Sequence, residues 1–457
     1  MRLAVQVADT LLAARTAPPD VAVLRLATAL AARDSARADA SVTSLAKGPL
    51  DFLAVPLRAW LAVDRRGGDP IAILDAAPVD GLARRFVAEN RALLLIATHR
   101  PAEGVAALRP LIAADGGASQ LRFAAARLLA CTGHRDDAAA LLEGHNAEGL
   151  RTLTRRKGCR IDAAFGARQL FVRVAAEVSA GDSAPLAIVL TRSALILDPN
   201  DDRARLVLAG ALANDEAEAD ALAVLDAIPR GSAFAGAAAA QRIAILDGTG
   251  RASEALELAR ASADGQAANG NDIQRLGDLL FAAGRYDEAA EAYARASAAT
   301  PRPADWILAL QRGSALERAG KWSEAKPLLQ RAAQLAPDEP AALNALGYAQ
   351  ADRGEALPVA RALLERALKL RPNDPSITDS LAWAYLRSGE TARALPMLES
   401  AARARPTSAE INEHLGDAYW MLGRRYEARY AWRAAAVVAS AGPESTRIMA
   451  KIAQGPR

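Results

Sequence analysis

Aromatic side chains are scarce in this chain, at 4% of 457 residues, and cysteine and histidine are scarcer still. The two cysteines, Cys131 and Cys159, stand 28 residues apart, without the paired spacing of a zinc or redox site. Buried free thiols are therefore expected, with a single disulfide as the alternative. The four histidines, His99, His134, His145 and His414, form no HExxH or other ligand spacing, so no metal is expected. A GxSxG nucleophile elbow and a GxxxxGK phosphate loop are both missing. The pairs Gly67–Gly68 and Gly116–Gly117 read as turns. Two carboxylates divide acid and base roles only when they share an apolar pocket, and nothing in the pattern points to one. Neither an enzyme nor a cofactor is expected.

Other absences narrow the class further. No apolar run approaches the roughly 18 to 20 residues of a membrane span. A stretch from Leu3 to Ala14 is partly apolar, but Gln6 and Asp9 interrupt what a signal peptide would keep continuous. Leu3, Val7 and Leu11 recur instead at helical spacing. Valine, isoleucine and threonine rarely alternate as strands require. Charge of one sign is also missing, since 56 basic residues face 53 acidic ones. No basic stripe follows, and nucleic acid is not expected as a partner. The densest basic run is Arg151, Arg155, Arg156, Lys157 and Arg160. It reads as an exposed loop or helix end, with polyanion binding (RNA or lipid) as the alternative.

What the chain has in abundance is alanine, the best helix former and the residue that lets helices approach closely. It also has a repeat. Gly277, Gly284, Ala289, Tyr293, Ala296 and Pro301 are followed by Gly313, Gly320, Ala325, Leu329, Ala332 and Pro337. The series continues with Gly347, Gly354, Ala360, Leu364, Ala367 and Pro372, then Ala382, Gly389, Ala394, Leu398, Ala401 and Pro406. Gly416, Gly423, Ala428, Trp432 and Ala435 close it. The first marker steps by 36, 34, 35 and 34 residues.

Each marker has a physical role. The small first residue and the alanines belong where two helices cross, because a larger side chain would push them apart. The second glycine ends the first helix through the left-handed conformation. The acidic start of the next helix, as in GRYDEA, faces its dipole. Proline then closes the unit. A weaker form of the pattern runs upstream through Ala92, through Ala126, Gly133, Ala138 and Leu142, through Ala175, Ala187, Ala194 and Pro199, and around Gly250 and Ala255. The reading is an all-α superhelix: degenerate helical repeats over 1–269, a regular array of five over 270–442, and a closing helix or tail over 443–457. A division near Asp264 to Asn271 is the alternative to one continuous solenoid.

With these markers in place, residues 270 to 442 resemble the tetratricopeptide repeat family, whose period is about 34 residues. The stretches ALNALGYAQADRG (342–354), PNDPSITDSLAWAYLRSGE (372–390) and HLGDAYWMLGRRYEARYAW (414–432) look like bacterial envelope repeat proteins. Those include outer-membrane lipoprotein adaptors of a carboxyl-terminal processing protease. LRAWLAVDRRGGDP (57–70) and LDPNDDRARLVLAGAL (197–212) are similar to long repeat proteins of α-proteobacteria. Such relatives commonly begin with an export signal and further repeats, and Leu3, Val7 and Leu11 show no capping design. Met1 is therefore expected to be internal to a longer protein. Location is expected to be cytoplasmic as the chain is written, and periplasmic or outer-membrane-associated if the true start lies upstream of Met1.

The resemblance also implies a site. In this family the second, fifth, ninth and twelfth to thirteenth positions of each first helix face a concave groove. Carried onto this sequence, they include Gln274, Asp278 and Phe281, then Ser314, Glu317 and Arg318. The last three repeats supply Asn344, Tyr348 and Asp352, then Asp379, Trp383 and Arg387, then Glu413, Asp417 and Trp420. The fifth positions are Gln274, Leu310, Asn344, Asp379 and Glu413, so the family's Lys and Asn carboxylate clamp is not expected. Aromatic surfaces beside carboxylates point to a groove for a protein or peptide of basic character. The alternative is that Trp383 and Trp420 pack between repeats. The chain thus reads as a non-enzymatic scaffold or adaptor, with an envelope assembly or protease-recruiting role as the second reading.

Overall fold

Each regular repeat turns on a single close approach. The computed structural model describes residues 21–65, 68–78, 81–114, 119–142, 160–179, 183–266, 268–300, 305–439 and 442–456. In it the first marker of each repeat presses on the fourth. A Cβ built on Gly277 would stand 2.7 Å from the ring of Tyr293. On Gly313 it would meet Leu329 at 2.9 Å, on Gly347 Leu364 at 2.8 Å, and on Gly416 the Trp432 ring at 2.3 Å. Ala382 holds the same place opposite Leu398, and both are fully buried. The alanine markers 289, 325, 360, 394 and 428 are equally inaccessible. The second glycines, Gly284, Gly320, Gly354, Gly389 and Gly423, all take positive φ between 68° and 83°. Just beyond each, a six-to-one bond closes the helix, as in Arg285 N–H to Leu280 C=O at 2.9 Å.

The described residues form 25 α-helices, and the chain divides into two compact units, Met1–Ala255 and Leu256–Arg457. The division falls inside one helix, ahead of the polar stretch Asp264 to Asn271. In the N-terminal unit, α1 (Val21–Ala32), α2 (Ser35–Leu45), α3 (Ala54–Val63) and α4 (Pro70–Asp75) lead into α5 (Gly81–Ala97) and α6 (Pro101–Ala114). Next come α7 (Ser119–Cys131), α8 (Arg135–Leu142), α9 (Ala163–Glu177) and α10 (Ala184–Leu197). The unit continues with α11 (Asp202–Asn214), α12 (Glu218–Asp226) and α13 (Ala235–Gly248), and α14 (Ala252–Ala263) spans the division.

This unit is not a simple nearest-neighbour stack. Helix α1 packs on α10, and α3 packs on α9, although long stretches of chain separate them. Trp60 anchors the second pair. It is fully buried, donates from Nε1 to Asn90 Oδ1 at 2.9 Å, and leaves Gly166 no room for a Cβ. The weak upstream markers do occupy helix crossings: Ala126, Ala138, Ala175, Ala187 and Ala194 are buried, and Gly133 and Gly250 take positive φ.

One expectation is corrected here. Cys131 is disulfide-bonded and only half-buried, so it is not a buried free thiol. Thiol chemistry outweighs apolar burial at a half-exposed position. Cys159 lies outside the described residues, as do the basic positions 151–157 and the helix expected through Leu3, Val7 and Leu11.

The C-terminal unit is a regular alternation. First helices α15 (Gly270–Ala282), α17 (Trp306–Arg318), α19 (Pro340–Asp352), α21 (Pro375–Arg387) and α23 (Ala409–Met421) pair with second helices. Those are α16 (Tyr286–Ala299), α18 (Trp322–Leu335), α20 (Leu357–Leu370), α22 (Thr391–Ala404) and α24 (Arg425–Val438). The tail is helical as well, α25 (Pro443–Gln454), and packs on α24. Its start stands 34 residues after Ala409, so α25 takes the place of a sixth repeat's first helix.

Replacing Gly416 by Val should cost about 1–3 kcal/mol or more, because the indole of Trp432 cannot retreat from a core contact. Chemical denaturation followed by far-UV circular dichroism measures this. An unchanged midpoint would mean that the helices do not cross at this glycine.

Candidate functional site

The period that stacks the repeats also lines up their first helices, so equivalent positions become neighbours. At the start of the array Gln274 Nε2 donates to Gln311 Oε1 at 2.8 Å, and Gln311 donates to Asp278 at 2.8 Å. Tyr293 reaches the same carboxylate at 2.9 Å. Further along, Trp383 Nε1 donates to Asp352 at 3.2 Å, and the Arg387 guanidinium lies 5.7 Å from the Trp383 ring. Trp383 also stacks on His414, with centroids 4.0 Å apart and planes at 15°. His414 Nδ1 in turn contacts both oxygens of Asp379, at 3.0 and 3.1 Å.

Asp379, Glu413 and Asp417 are therefore buried rather than arrayed along an open rim. Helix α25 answers the last two. Arg447 pairs with Glu413 through two bonds, at 2.9 and 2.8 Å. Lys451 lies 2.7 Å from Glu413 and 2.6 Å from Asp417, and Asp417 also accepts from Trp432 Nε1 at 3.0 Å. Burial would raise the Glu413 carboxyl, but Arg447 and Lys451 hold it below its ordinary value. For Asp417 burial wins and the pKa rises. Trp420 packs at a tilt of 39° against Trp432 with centroids 5.4 Å apart, under Arg425 at 4.3 Å and against Gly455. Trp383 and Trp420 both pack between elements of the stack.

The open part of the concave face lies further back. A cavity of about 290 Å³ is lined by Phe281, Arg318, Asn344, Tyr348, Ser380 and Glu410, among others. The Tyr348 hydroxyl donates to Glu410, and burial with that carboxylate beside it pushes the phenol well above its ordinary range. Arg405, also in the lining, donates to Ser376 Oγ at 2.6 Å. The Oδ1 of Asn344 is buried and accepts no hydrogen bond among the described residues.

Of the nine residues singled out in the last three repeats, Asn344, Tyr348 and Asp379 line this cavity. Asp352, Trp383 and Arg387 extend the stacked cluster, and Glu413, Asp417 and Trp420 lie under α25 and the chain end. Sequence reasoning missed Ser376 and Glu410. Each is the second residue of its helix, an inward position that went unused. Nothing in the pattern marks Arg405 or His414.

His414 makes the site sensitive to pH. Burial disfavours the imidazolium, but Asp379, with Glu410 and Asp417 behind it, holds the proton and lifts the pKa to about 9. The folded state thus binds this proton more tightly than the unfolded chain does. The resulting stabilisation is complete below about 6.5 and is lost as pH rises toward 9. Thermal unfolding of the wild type should fall more steeply between those values than that of His414→Gln; parallel curves would refute the charged pair.

Tetratricopeptide repeats match at residues 275–310, 310–375 and 380–445. No curated protein sequence matches the chain. Among solved structures, a tetratricopeptide protein of Thermus thermophilus is similar at 22% identity, covering 41% of this chain and 98% of its own, with a TM-score of 0.36. A MamA fragment from Desulfovibrio magneticus has 19% identity over 37% of this chain and 93% of its own, with a TM-score of 0.33. A repeat protein from Parabacteroides merdae has 12% identity over 63% and 99%, with a TM-score of 0.43. Among the described residues no helix is long and apolar enough to cross a membrane. Arrays of this kind are, in general, protein-interaction scaffolds. On their period, their glycine contacts and the matched family model, residues 275–445 of this chain are tetratricopeptide repeats.

Proposed function

We propose that the C-terminal unit holds a peptide segment of a protein partner in the cavity between Phe281 and Glu410. The observation that supports this is the Asn344 Oδ1, buried without a donor in the cavity wall. A buried acceptor left without a donor costs about 1–3 kcal/mol. A peptide N–H entering the groove would supply that donor, and Tyr348 and Phe281 would pack against its side chains. The lining carries Arg318 and Arg405 as well as Glu317, Asp379 and Glu410. Recognition of a segment bearing both signs fits this wall better than recognition of a purely basic one, because Glu413 and Asp417 are engaged by α25.

Selection of a phage-displayed peptide library on the full chain tests the reading. Selected peptides should bind the wild type and lose about tenfold or more in affinity on Asn344→Leu. Ser380→Trp, which fills the groove, should abolish binding. Undiminished binding to both variants, with helicity intact, overturns it.

A second reading concerns location. The disulfide at Cys131 favours an oxidising compartment such as the bacterial envelope, which would suit an adaptor for envelope enzymes. Protein isolated from its native host, alkylated before reduction and mapped by mass spectrometry, should give a disulfide-linked Cys131 peptide. Alkylation of Cys131 without prior reduction would exclude this reading.

A further inference from the structure

The N-terminal unit holds a larger cavity, about 630 Å³, between α1, α3, α9 and α10. That is within the usual size of a small-molecule pocket. Arg127 and Arg168 in its lining belong to a cluster of guanidinium groups that continues behind the wall to Arg203. Arg168 contacts Asp198 and lies 3.4 Å from Asp201. Arg203 lies 3.2 Å from Asp201, and these two cations and Asp201 are nearly inaccessible. Arg127 comes third. It reaches an anion only at 3.5 Å among the described residues, on the same Asp198 oxygen that Arg168 holds. Three guanidinium groups of the described residues thus share two carboxylates.

The electrostatics are consistent with that geometry. Burial, with the neighbouring Arg168 and Arg203, lowers the Arg127 pKa to about 10 against the opposing pull of Asp201 and Asp198. The Phe165 ring lies beneath two of the cations, 5.9 Å from the Arg127 guanidinium and 5.3 Å from that of Arg168. A ring face eases a buried cation but does not neutralise it. The exposed Arg33, at the mouth of the same cavity, makes no ion pair among the described residues.

The acidic groups in the wall are largely engaged elsewhere. Asp34 caps α2 through Arg37 N–H at 2.9 Å. Asp162 caps α9 through Phe165 N–H at 2.9 Å and pairs with Arg160 at 2.6 Å. Asp64 accepts from Ala163 N–H at 3.3 Å, and burial raises its pKa. Leu30, Leu61 and Leu197 complete an apolar part of the lining.

We propose that this cavity binds a small organic anion, its carboxylate or phosphate group on Arg127 and its apolar body against Phe165 and Leu61, with Arg33 guarding the entrance. A planar guanidinium takes either oxyanion through two parallel bonds. A bound anion would give Arg127 a closer partner than Asp198, which it reaches only at 3.5 Å among the described residues. The site stands apart from the C-terminal groove and does not depend on it.

Calorimetric titration of the full chain at constant ionic strength, with hexanoate, hexyl phosphate and inorganic phosphate as probes, tests it. Saturable binding of hexanoate or hexyl phosphate is expected, weakened about tenfold or more by Arg127→Gln and about threefold or more by Arg33→Gln. The stronger of the two organic probes identifies the head group. Inorganic phosphate binding as tightly as hexyl phosphate would overturn the apolar subsite. Because Arg33 is exposed, its variant reports even if Arg127→Gln does not fold. No saturation at millimolar concentration, or equal binding by wild type and Arg33→Gln, overturns the proposal.

Discussion

The close approach of paired helices at one small residue governs the C-terminal unit. At Gly277, Gly313, Gly347 and Gly416 no side chain fits between the backbone and the facing ring or leucine. Close packing tolerates neither an added methyl group nor a void at such a point. The second glycine then reverses the chain at positive φ, and the next first helix is laid down beside its predecessor. Everything on the concave face follows from that repetition. Residues one period apart become neighbours, whatever their chemistry.

This has a consequence for charge. Stacking brings Asp379, Glu413 and Asp417 out of water, and a buried carboxylate is costly unless it is paired. The array supplies each with a partner from the first helix one period on: His414 for Asp379, and Arg447 and Lys451 for Glu413 and Asp417. Helix α25 thereby covers the stacking face of the last full repeat while engaging its acids. The covering element is a further first helix one period on, with cations where an earlier copy has Asn344 and Tyr348.

Much of this was legible beforehand because its cause is local. The markers Gly277 to Ala435 each act within one repeat, so their spacing in the chain reports the contact directly. The inward positions Asn344, Tyr348 and Asp379 were legible for the same reason. Their surroundings were not. Whether Glu413 faces water or a guanidinium depends on a helix whose markers are incomplete, and only its start, one period after Ala409, betrays it. In the N-terminal unit the packing of α3 on α9 depends on Trp60 meeting Gly166 across a long stretch of chain, and no local spacing encodes that.

Satisfied and unsatisfied groups also sort the surfaces by what each is suited to do. A wall whose donors and acceptors are all engaged gains little from a ligand, since binding must first break what is already made. The acidic end under α25 is such a wall, and its aromatics are core. Among the described residues, the cavity around Asn344 holds one acceptor without a donor, and the cavity beside Phe165 holds one cation, Arg127, whose only anion is 3.5 Å away. In both places the folded chain carries a cost that a ligand of the right chemistry would remove. A burial cost of this kind is removed only by a group that supplies the missing donor or charge, so it selects among ligands as well as favouring one. An N–H donor answers Asn344 and an oxyanion answers Arg127; neither would serve at the other's site.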